Sequence, residues 1–179
     1  FNITSEWTGG GSAAPTVGSG VPGNVIIQLV SNVALAGARG VPGNINIVTS
    51  ASSVLTLNTT AGDLYLGGNL TQNGGSGGLI NNSRAVNFVG GGATQTISAT
   101  TSPVYFDYFL INKPSGVVQL NGTDVTINTT SGNVFQILNA GSLDLNGRAL
   151  TFNNAGGSLY ANGTGRTISS TLANATVNI

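Results

Sequence analysis

From Val25 to the end of the chain, apolar residues fall at every second position in short runs: Val25, Ile27 and Leu29; Ile45 and Ile47; Leu55 and Leu57; Leu64 and Leu66; Val86 and Phe88. The same rhythm continues through Val125 and Ile127, Leu143 and Leu145, Leu150 and Phe152, and Val177 and Ile179. Alternation at period two predicts strands with one buried face. Between the runs stand clusters of Asn, Gly, Ser and Asp, residues that accept positive φ or hydrogen-bond their own backbone in turns. No window places apolar residues at i, i+3, i+4 and i+7, so almost no helix is expected.

The pattern is also written more than once. Val54-Leu55-Thr56-Leu57-Asn58-Thr59-Thr60 returns as Val125-Thr126-Ile127-Asn128-Thr129-Thr130, and Gln95-Thr96-Ile97-Ser98 returns as Arg166-Thr167-Ile168-Ser169. A repeat of about 70 residues thus relates 54–100 to 125–171, and a shorter echo of about 20 relates Gly20-Val21-Pro22-Gly23-Asn24 to Gly40-Val41-Pro42-Gly43-Asn44. Tight Asn-Gly turns at 73–74, 121–122, 146–147 and 162–163 suit hairpins of a sandwich, but sandwiches do not repeat their own sequence. The expectation is an all-β, right-handed parallel β-helix of about seven coils, each of about 20 to 23 residues and about 4.8 Å from the next, in a rod of about 35 Å. Each long repeat would then be about three coils. Residues 1–20, Gly- and Ser-rich around the single Trp, read as an irregular lead-in or cap to a solenoid over 21–179.

Composition narrows the function classes. Five Lys and Arg balance five Asp and Glu, and 40% of the 179 residues are hydrophobic, so the chain holds a core and is not disordered. Five scattered cations make no basic face for phosphates, which argues against nucleic acid. The 28 glycines lack the Gly-X-Y period of collagen. No apolar run approaches the roughly 20 residues of a spanning helix. Without cysteine or histidine the chain has no thiolate or imidazole metal ligands, and no cofactor is expected. It opens on Phe1 rather than Met, and Thr171 to Ile179 stops inside a strand-like pattern, so it reads as cut from something longer or continued by a neighbour.

Several stretches together resemble large secreted β-solenoid repeat proteins of Bacteroidetes-type bacteria. They are Trp7-Thr8-Gly9-Gly10-Gly11, Gly20-Val21-Pro22-Gly23-Asn24-Val25, Val104-Tyr105-Phe106-Asp107-Tyr108-Phe109-Leu110-Ile111-Asn112-Lys113, and Gly141-Ser142-Leu143-Asp144-Leu145-Asn146-Gly147 with Leu150-Thr151-Phe152. The resemblance implies an extracellular, cell-surface, structural or adhesive role, similar to gliding-motility adhesins and surface filaments exported by type IX secretion. It also implies partners that are copies of the chain, the remainder of a longer repeat protein, or glycans. The chain departs from the pattern in carrying no C-terminal sorting domain.

β-Helices also host polysaccharide lyases and glycosidases, so the position of each acid matters. Asp63 aligns with Asn133 in the repeat, Asp144 precedes an Asn-Gly turn and Asp124 follows one, which marks all three as turn formers. Asp107 sits among Tyr105, Phe106, Tyr108 and Phe109; on one continuous strand Tyr105, Asp107 and Phe109 share a face opposite Phe106 and Tyr108. Facing solvent, Tyr105, Asp107 and Tyr108 are the candidate glycan-binding residues; facing inward, the aromatics form a core stack. With no His and one Lys an acid–base catalyst is not expected, and the chain is read as non-enzymatic. Thr56, Thr96, Thr126, Thr151 and Thr167 suggest an ice-binding ladder only weakly, because their spacing drifts. Asn-x-Thr triplets at Asn2, Asn58, Asn69, Asn121, Asn128, Asn162 and Asn174 match a glycosylation pattern, which turn-forming asparagines explain equally well.

Overall fold

The computed structural model describes the chain except for residues 1–6, 13, 29–31, 49–52, 73–77, 102, 130, 154–155 and 162. Leu29 and the Asn73-Gly74 turn therefore lie outside the described residues, as do Asn2 and Asn162. Every regular element among the described residues is a strand, and every strand ladder is parallel.

The strands sort onto three faces in a fixed order along the chain. Face I is one seven-stranded sheet: Val25–Ile27, Ile45–Ile47, Leu70–Gln72, Gln95–Ala99, Val117–Asn121, Ser142–Asp144 and Ile168–Ser169. Face II begins as a three-stranded sheet, Asn32–Ala34, Val54–Thr56 and Leu79–Ile80. Its place in the coil then passes to a four-stranded sheet, Val104–Phe106, Val125–Ile127, Ala149–Phe152 and Thr176–Asn178. Face III has six strands: Arg39–Val41, Leu64–Leu66, Ala85–Phe88, Tyr108–Ile111, Gly132–Ile137 and Gly157–Tyr160. A parallel β-solenoid results. Among the described residues six coils carry a strand on all three faces, and a further one carries strands on two, so there are fewer full coils than the about seven expected.

Coil length varies more than the expected 20 to 23 residues. Val25 lies beside Ile45, Ile45 beside Leu70 and Leu70 beside Ile97, so successive coils take 20, 25 and 27 residues. The corners absorb the difference, because strands must stay in register for their ladders whereas turns have no such constraint. The long repeat does span three coils. On face I its second copy has slipped, however: Gln95 stacks on Val118, Val118 on Leu143 and Leu143 on Ile168, so Ile168 lies in line with Gln95 rather than with Ile97. A slip of two positions keeps every side chain on its own side of the sheet, which is why the alternation survives it.

Inside, Val25, Ile45, Leu70, Ile97 and Leu120 form one fully or nearly fully buried column behind face I. Phe88, Phe106, Phe109 and Phe135 form an aromatic stack inside, which the partly buried Phe152 extends, with successive ring centroids 5.0 to 6.4 Å apart. Such contacts add about 0.5–1.5 kcal/mol per pair beyond simple burial. Phe109 corrects the sequence reading, which placed it with Tyr105 and Asp107 and opposite Phe106. Phe106 and Phe109 both point inward and stack at 5.0 Å, because the chain bends at Asp107 and passes from face II to face III. The alternation restarts after that corner.

At the other end Trp7 is buried, donating from Nε1 to Gly40 O at 3.0 Å, while its own carbonyl accepts from Arg39 Nε at 2.8 Å. The segment lies so close to the first face III strand that any Cβ on Gly40 would run into the Gly10 backbone.

Candidate functional site

The outer side of face I carries two parallel rows of side chains over its first three strands. One row is Asn24, Asn44 and Asn69, each just before a strand; the other is Ile26, Asn46 and Thr71, each mid-strand and in register with the next. Their order follows from the short echo Pro22-Gly23-Asn24 and Pro42-Gly43-Asn44, which places an asparagine at the same corner of consecutive coils. Asn24 Oδ1 accepts the backbone N–H of Asn44, Asn44 Oδ1 that of Asn69, and Asn69 Oδ1 that of Thr96, each at 2.8 Å. One amide oxygen per coil therefore holds the next coil, and successive amides sit about 4.8 Å apart. These six residues, with Val25, line a cleft of about 360 Å³. Ile26 is 55% exposed at its margin. Asn46 Oδ1 is shut off from solvent with no hydrogen-bond partner.

Further along the first row the chemistry is closed. Asp144 Oδ2 accepts from Gln119 Nε2 at 2.8 Å and Thr171 Oγ1 at 3.0 Å, and its Oδ1 accepts the backbone N–H groups of Asn146 and Thr171, both at 2.9 Å. Burial alone would push this carboxyl upward, but those four hydrogen bonds to its charged form outweigh it and hold its pKa below the usual carboxylate value. A second closed network lies inside the solenoid. Lys113 is fully buried at the corner between faces III and I, and its Nζ donates to Gly90 O at 3.1 Å, Gly91 O at 2.8 Å, Ala93 O at 3.0 Å and Gln95 Oε1 at 2.9 Å. Burial lowers its pKa to about 8. Gln95 stands at an inward position where the next three coils have Val118, Leu143 and Ile168, and its Nε2 donates to Leu66 O and Gly68 O. The ammonium has no opening to solvent, so it braces the corner. Sequence reasoning missed this pair; the only available signal was that Lys113 is the chain's single lysine.

The three residues singled out for glycan contact straddle the corner between faces II and III. Tyr105 is 46% exposed on face II, in a row with Thr126 and Thr151. Asp107 accepts the backbone N–H of Ser83 at 2.6 Å, fixing a turn in which Asn82 and Ser83 both have positive φ. Tyr108 packs against the core and donates from its hydroxyl to Ser131 O at 3.2 Å. Asp63 and Asp124 likewise accept backbone N–H groups one coil away, from Ala85 at 3.1 Å and Ala149 at 2.9 Å. Of the threonines, Thr126 and Thr151 stack in register, whereas Thr56 belongs to another sheet and Thr96 to face I, so no single ladder forms. Asn58 and Asn69 spend their side-chain oxygens on turns and coil contacts. Among the described residues no group of three or more His, Cys, Asp or Glu is placed to hold a metal ion.

Fold and surface together define a parallel β-solenoid with an uncharged, amide-lined cleft across the first coils of one face. No protein-family model, curated protein or solved structure matches the chain.

Proposed function

We propose that this chain is a non-enzymatic structural or adhesive module, a right-handed β-helix segment of an extracellular bacterial surface filament or large adhesin. The observation that carries the reading is the use made of the acids. All four aspartates, Asp63, Asp107, Asp124 and Asp144, accept backbone N–H groups from an adjacent coil. Carboxylates engaged in this way stitch coil to coil, which supports a scaffolding use for all four. Parallel ladders along the axis and continuous buried columns behind them make the assembly a rod in which each coil supports its neighbours. Its neutral, amide- and hydroxyl-rich exterior suits contact with copies of itself, with the remainder of a longer repeat protein, or with uncharged surfaces.

Immunogold labelling of intact cells of the source organism tests this directly. Gold on surface filaments or on the cell exterior is the expected result, and gold confined to the cytoplasm of sectioned cells would overturn the proposal.

A further inference from the structure

We propose that the cleft across the first three coils of face I binds an uncharged polysaccharide chain running along the solenoid axis. This names the ligand that the adhesive reading leaves open, and it is tested on the purified protein, so it can fail while surface localisation holds, or the reverse.

The lining excludes other ligand classes first. Asn24, Ile26, Asn44, Asn46, Asn69 and Thr71 carry no charge, so a phosphate or carboxylate ligand finds no cation and a metal finds no anionic ligand. A peptide adding itself as a strand needs unpaired backbone at a sheet edge; of the three strands under this cleft only Val25–Ile27 is an edge strand, and the lining side chains lie across the face of the sheet.

What remains is a row of fixed amides. The oxygen of Asn24, Asn44 and Asn69 is held by a backbone N–H of the next coil, which pins each amide plane and leaves its NH₂ group as a donor at every coil. A row repeating about every 4.8 Å is comparable in spacing to successive sugar rings of an extended glycan, whose hydroxyls accept from amides and donate to hydroxyls such as that of Thr71. Because the ladder already orders these side chains, binding does not have to immobilise them. Ile26, exposed beside the row, supplies an apolar contact for the C–H face of a ring. Asn46 Oδ1, one of four buried side-chain atoms without a hydrogen-bond partner among the described residues, lies in the second row of the same lining.

The test is titration of the ¹⁵N-labelled protein with cellohexaose, mannohexaose, xylohexaose and chitohexaose, with a galacturonate hexamer as a charged control, followed by NMR. Saturable shifts from at least one neutral oligomer, centred on the amides of residues 24–27, 44–47 and 69–72, are expected. Ile26→Ala and Asn46→Ala should each weaken that binding by tenfold or more, with Asn46→Ala melting no lower than the parent protein. No shift in this region with any neutral oligomer, shifts centred on Tyr105 instead, tighter binding of the charged hexamer, or unchanged affinity in both variants would overturn the proposal.

Discussion

One outward row of face I is chemically open at one end and closed at the other. Over the first coils Asn24, Asn44 and Asn69 each spend an oxygen on the next coil and keep a donor. Further along, Gln119 and Asp144 occupy the same row, and Gln119 gives its donor to Asp144, which is filled by Asn146 and Thr171 as well. The difference lies in the side chains. An amide has two unlike ends and can brace a coil with one while offering the other; an ionised carboxylate only accepts, so it collects donors until the site is full. A ladder of asparagines is thus able to be scaffold and contact surface together, and an aspartate network is scaffold alone.

The largest expected effect comes from the most enclosed network. Lys113→Met removes the shared donor of Gly90 O, Gly91 O, Ala93 O and Gln95 Oε1 and should lower stability by about 3 kcal/mol, read by urea unfolding, since the buried Gly90 O and Gln95 Oε1 lose a partner that water cannot replace. A loss under about 1 kcal/mol would mean that the corner does not depend on the ammonium.

Asp144→Asn should cost about 1–2 kcal/mol at neutral pH and should flatten the acid limb of the stability curve. The sign follows from the lowered folded-state pKa of Asp144. Stability from this group is present above the ordinary carboxylate value and is lost as pH falls through the lower folded value, where the folded protein must also take up the proton. Melting temperatures measured from pH 7 to pH 2 should therefore drop more in the parent protein than in Asp144→Asn; equal drops would remove Asp144 from the account.

Asn44→Ala, at the open end, should cost only about 1 kcal/mol, as loss of one exposed side-chain hydrogen bond does. It should also speed hydrogen exchange at the Asn69 amide, which its oxygen covers. The smallest effect belongs to Asn46→Ala, within about 0.5 kcal/mol of the parent or stabilising, because it deletes a buried oxygen that has no partner. A large destabilisation there would show that folding depends on the open end no less than on the closed end.

Period-two alternation and the internal repeat were enough to specify an all-β parallel solenoid with Val, Ile and Leu columns inside. The turn role of Asp144 was legible as well, in its bond from the Asn146 N–H two residues on, because alternation and turn chemistry are settled within a few positions of a residue; the bonds that Asp63 and Asp124 accept from the next coil were not. The candidate site was not legible in the same way. Reading Tyr105, Asp107 and Tyr108 as one strand missed the corner at Asp107, which sends Phe109 inward and puts Tyr105 and Tyr108 on different faces. The inward Gln95, the buried Lys113 and the alignment of Asn24, Asn44 and Asn69 with Ile26, Asn46 and Thr71 depend on which residues of different coils meet. Coils of 20, 25 and 27 residues meet where their corners let them. Facing in or out is a local property of the chain, whereas stacking is a property of closed turns, and only the tertiary structure sets it.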